Sequence, residues 1–85
     1  MPDISRLTEF DRRCIIEYAN AGMSMHGASV HLNVTYPAVR YHLLKSAALS
    51  GLDPRVFREL VHLMWLLTED ELMIGKGDAS EGREE

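Results

Sequence analysis

Thr35, Tyr36, Arg40, Tyr41 and Lys45 crowd into the stretch NVTYPAVRYHLLK, residues 33–45. They include no nucleophile with a base at catalytic spacing. They are hydrogen-bond donors of graded reach. An arginine fork can grip a guanine edge or a phosphate with two parallel hydrogen bonds. Tyrosine hydroxyls can donate to phosphate, and their ring edges can lie against a thymine methyl. Thr35 can bond a phosphate or a base edge. Lys45, one helix turn beyond Tyr41, is expected to reach only backbone phosphate. Ser24 and His26 open the preceding helix, where the positive end of the helix dipole favours an anion. Few of these groups are charged, so weak non-specific binding with a shallow salt dependence is expected.

Each assignment has a plainer rival. Tyr36 and Tyr41 can be partly buried packing residues, and Arg40 a solvated surface arginine. No two of His26, His31, His42 and His62 stand four residues apart, and no carboxylates cluster with them, so no metal site is expected. His42 is read as wedged at a helix interface. Cys14 is read as a small core residue.

Helical spacing recurs four times along the chain, and no useful β-alternation appears. The first helix is expected from a capping-box-like start at Thr8-Glu9-Phe10-Asp11, with Asp where Glu is more usual. Phe10, Cys14, Ile15, Tyr18 and Ala19 then share a face, and Gly22 suits the helix end. Ser24 caps a second helix with Met25, Ala28, Ser29 and Leu32 on one side, ending near Asn33. Gly27 weakens it by roughly 1 kcal/mol relative to alanine, so packing must hold it. Thr35 caps a third helix, with Pro37 in its first turn and Val39, Leu43 and Ala47 buried. Asp53-Pro54 is expected to open a fourth. In that helix Phe57, Leu60, Val61 and Met64 form one apolar stripe, and Val56, Leu63, Leu66 and Leu67 a second. The expected fold is a small all-α, four-helix domain over residues 1–74, followed by an acidic, disordered tail over 75–85.

The chain has 85 residues and a net charge of −4. That charge is unevenly spread. Residues 68–85 carry seven acidic and two basic side chains, and residues 1–67 carry six and seven. A nearly neutral body admits nucleic-acid binding if its basic groups gather on one face. A solvated tail is the simple reading of 69–85; a tail that competes with DNA is the other. A lone Cys14 rules out an intrachain disulfide and fits a reducing, cytoplasmic setting. The N-terminal MPDISRLTEF lacks a basic region before an apolar run, so no signal peptide is expected. The run LVHLMWLL is too short to span a membrane.

Two short helices joined by about three residues suggest a helix-turn-helix, whose second helix enters the major groove in DNA-binding examples. The stretch ASVHLNVTYPAVRYHLLK, followed by SGLDPRVFRELVHLM, resembles the C-terminal helix-turn-helix of purine-catabolism-regulator (PucR) type transcription factors. It looks closer still to small stand-alone relatives in bacterial and prophage genomes. Val39-Arg40-Tyr41-His42-Leu43 and Gly51-Leu52-Asp53-Pro54 carry the resemblance, which covers residues 10–67. Where that family shows an Arg-Asn-Thr-like run before the valine, this chain has Tyr36-Pro37-Ala38. The resemblance implies a DNA-binding transcriptional regulator without a sensory region of its own.

The expected partner is double-stranded DNA, gripped by a recognition helix over about 36–48, with no cofactor, small-molecule ligand or membrane involved. The second stripe of helix four, with Trp65 beside it, is expected to pair two copies through Val56, Leu63, Trp65, Leu66 and Leu67. The alternative covers that stripe within one chain. A rival from another class makes the helix-turn-helix a protein-interaction module that binds a repressor, a polymerase subunit or a toxin. An enzyme has almost no support, since the chain is short for a substrate pocket.

Overall fold

Three N-caps written into the sequence set the starts of the first three helices. The computed structural model describes the backbone of residues 1–82 and the side chains of residues 1–72. Its elements are α1 (Glu9–Asn20), α2 (Met25–Leu32), α3 (Tyr36–Ser50) and α4 (Phe57–Gly82), with no strand among the described residues. The Thr8 hydroxyl accepts the Asp11 N–H at 3.0 Å, and the Asp11 carboxylate accepts the Thr8 N–H at 2.9 Å, closing the capping box. Ser24 caps α2 by accepting the Gly27 N–H at 2.9 Å, and Thr35 caps α3 by accepting the Ala38 N–H at 3.2 Å. These bonds satisfy amides that no helical carbonyl can reach.

The stops are as local as the starts. Asn33 adopts left-handed backbone at φ 59 and ends α2, and Gly51 does the same for α3 at φ 83. Asparagine and glycine tolerate that region better than most residues. Only residues 33–35 separate α2 from α3, so the two helices form a helix-turn-helix.

Helix α1 is the hub and packs against each of the other three. Its Cys14, Ile15 and Tyr18 join Ala28, Val39, Leu43, Leu60, Leu63 and Leu67 in one core. Gly27 is the tight point of the α1–α2 corner. A Cβ built there would stand 2.8 Å from the Ala21 Cβ, closer than two carbons can sit. Gly27→Ala is therefore expected to destabilise the domain by about 1–2 kcal/mol, despite alanine's better helix propensity. Urea unfolding checks this; a stabilised variant would contradict it.

Helix α4 differs from expectation at its start. Asp53-Pro54 does not open it. The Asp53 carboxylate accepts the Arg55 N–H at 2.9 Å, its carbonyl accepts the Val56 N–H at 3.0 Å, and the helix begins at Phe57. An aspartate that bonds the amide two residues on offers the backbone a turn in place of a helix. The helix continues past the domain boundary expected at residue 74 and runs on to Gly82. Elongation adds one hydrogen bond per residue fixed, so a formed helix extends readily. The acidic tail expected to be disordered over 75–85 has its side chains outside the described residues, as has most of the stretch 69–85 read as solvated.

The faces of α4 also sort differently. Leu60, Leu63 and Leu67 point into the protomer's own core at 4%, 0% and 5% exposure. Leu63 and Leu67 are therefore unavailable to a second copy, and Leu66 is half-buried. Of the five residues assigned to a dimer interface, Val56 and Trp65 are exposed. Each apolar stripe read from the sequence mixed inward and outward positions, because leucines three and four apart recur nearly all round this helix.

Candidate nucleic-acid interface

The first two turns of α3 stand free of the core on one side. Val39 and Leu43 are fully buried, and Ser46 and Ser50 continue that face. The opposite side presents Tyr36, Pro37, Arg40 and Tyr41 to solvent. Tyr36 and Tyr41 are large, open side chains at 48% and 60% exposure. Thr35 and His26 are also exposed, and Ser24 is half-buried. Ser24 and Thr35 use a hydroxyl lone pair to cap their helices, which leaves each O–H free to donate.

Arg40 is one of four exposed arginines, with Arg6, Arg13 and Arg58, that pair with no carboxylate among the described residues, and it is the one on the free side of α3. Arg12 pairs with Asp70 at 2.7 Å, Lys45 with Asp11 at 3.2 Å and Arg55 with Asp53 at 2.9 Å. Among the described residues the Arg40 guanidinium has no carboxylate partner and no hydrogen bond, so its fork is open to an external acceptor. Tyr41 leans edge-on against His42, with ring centroids 5.1 Å apart.

Lys45 does not sit on the presented face. Its ammonium turns back to α1 and bonds the buried Asp11 carboxylate. His42 approaches the same carboxylate, Nδ1 to Oδ1 at 2.7 Å, while Phe10 packs edge-on against its ring at 4.8 Å. An ionised carboxylate only accepts, so the His42 Nδ1 carries the proton. His42 is thus held at the α1–α3 interface, as its position suggested. Asp11 is the residue that sequence reasoning passed over. It was visible as a cap but not as the buried anchor of α3, although it shares a helical face with Cys14, Ile15 and Tyr18.

Burial alone would raise the Asp11 carboxyl, but the bonds from His42, the Thr8 backbone and Lys45 outweigh it and hold the group below its ordinary value. A carboxyl lowered in the folded state stabilises the fold above the ordinary carboxylate range and loses that contribution as the pH falls through it. The domain is expected to lose stability below about pH 4, and Asp11→Asn to flatten that decline. Urea midpoints from pH 6 down to 3 check this; equal slopes for both proteins would contradict it.

An open groove between α1 and α4, lined in part by Leu7, Ile16 and Leu67, is crossed by the Arg12–Asp70 ion pair. Among the described residues no three histidine, cysteine or carboxylate side chains come together as metal ligands. Cys14 is buried, and its surroundings push its thiol up to about 11, so it stays protonated at neutral pH. No described helix is long and apolar enough to cross a membrane.

The fold and this face define the class only as a small all-α domain built around a helix-turn-helix. Compared with family models, curated proteins and solved structures, the chain matches none.

Proposed function

We propose that this protein is a sequence-specific DNA-binding transcriptional regulator that acts as a pair of chains. The observation that carries the reading is Arg40, an exposed and unpaired guanidinium between Tyr36 and Tyr41 on the free side of α3. Such a fork matches a guanine edge or a phosphate. The tyrosines flanking it supply hydroxyls for the backbone, and Thr35, Ser24 and His26 add donors near two helix starts. The resemblance to PucR-type helix-turn-helix domains points the same way.

With Lys45 committed to Asp11, the phosphate-gripping charge on this face is small. Binding to random duplex is expected to be weak, with a log–log salt slope on the order of −1 to −3 per chain. Fluorescence anisotropy of a labelled random duplex across salt concentrations tests the proposal. Measurable binding at low salt that fades along such a slope supports it. No binding even at low salt would remove it.

The same withdrawal of Lys45 favours one second reading, a protein-interaction module. In that case Arg40→Ala leaves partner capture through α4 unchanged, whereas a DNA regulator loses its duplex.

A further inference from the structure

Over its described side chains helix α4 has two apolar faces, and among the described residues one of them is used inside the chain. Opposite the buried Leu60, Leu63 and Leu67 lie Phe57, Val61, Trp65 and Leu72, exposed at 66%, 50%, 61% and 65%. Spacings of four, four and seven residues keep these side chains on one continuous stripe. Helix α4 meets the rest of the fold through α1, on its other side. A stripe with an aromatic at its middle and charged residues beside it marks an interface.

We infer that this stripe is the seat of a second copy of the same chain, with the two α4 helices antiparallel about a two-fold axis near Trp65. The argument for the occupant is charge. Arg58 and Glu69 are both exposed and eleven residues apart, three helical turns, so they lie along the same flank of the stripe. In an antiparallel two-fold pair each flank meets the same flank of the second helix. The pairing that sets Phe57 against Leu72 of the second copy also brings Arg58 near Glu69 of the second copy, twice by symmetry. A parallel pair instead joins opposite flanks at equal heights. It would bring Glu69 toward Glu71 of the second copy, also exposed, and leave Arg58 without a carboxylate. Among the described residues the stripe is thus complementary to itself in the antiparallel orientation and not in the parallel one.

This arrangement rests on the two-chain part of the proposed function and is independent of whether the pair binds DNA. Sedimentation equilibrium of the full chain, without DNA, tests it. At about 50 micromolar the wild type is expected to be dimeric, since an interface of one helix face holds copies in the micromolar range. Trp65→Ser is expected to be monomeric there with an unchanged helical spectrum, because Trp65 is exposed in the single chain. Arg58→Glu is expected to weaken the dimer about tenfold by setting like charges together twice. Adding Glu69→Arg to it restores wild-type association. A monomeric wild type, a dimer indifferent to Trp65→Ser, or a double variant no tighter than Arg58→Glu alone overturns the arrangement. Duplex binding lost through Arg40→Ala, measured in parallel, stands or falls separately.

Discussion

Replacing Asp11 by alanine is expected to cost about 3 kcal/mol of folding stability, which for a domain of this size is a large share of the total. The carboxylate is fully buried and joins three groups at once: the Thr8 amide at 2.9 Å, His42 at 2.7 Å and Lys45 at 3.2 Å. Alanine removes the second half of the α1 capping box and leaves two donors of α3 facing an apolar interior. Both retain some solvent access, at 21% and 29% exposure, which keeps the cost toward the lower end for broken buried pairs. Lys45→Met should cost less, because Asp11 would keep two of its donors and the lysine stem would be replaced by apolar volume. Urea unfolding of the two variants orders them. A loss under about 1 kcal/mol for Asp11→Ala would mean that the cluster does not anchor α3.

Arg40→Ala is expected to do the reverse, leaving the fold intact and removing tight duplex binding. The side chain is exposed and bonds nothing among the described residues, so its loss should move stability by no more than about 0.5 kcal/mol. A bidentate contact to guanine is worth about 1–3 kcal/mol of discrimination. Two chains on one site double that, so affinity for a selected duplex should fall by roughly a hundredfold or more. Arg40→Lys keeps the charge but not the fork and should recover only binding to random duplex. Anisotropy titrations of the three proteins on one selected duplex decide it. Equal affinities would remove Arg40 from the interface.

The helix boundaries were legible where a single local interaction sets them. Thr8, Ser24 and Thr35 cap as their types predict, and Gly51 ends α3 because left-handed backbone suits it. Asp53-Pro54 misled because the same pair can cap a helix or make an aspartate turn, and the bond to the Arg55 amide chose the turn. Lys45 was read as a phosphate ligand because its partner lies 34 residues back in the chain, where spacing along one helix carries no information. The Asp in the capping box was the available clue. It falls on the apolar face of α1, and an acid there requires a partner from another helix. Gly27 was readable as a weak helix former but not as the residue that admits Ala21.

The central claim is that the free side of α3 reads base sequence. Its most direct test is selection from a random duplex pool at moderate salt, followed by sequencing, with Arg40→Ala carried alongside. The account predicts a palindromic motif, with half-sites about one helical turn apart and guanine at a fixed place in each, that vanishes in the variant. Retention of duplexes without any shared motif, or the same motif from both proteins, would contradict it.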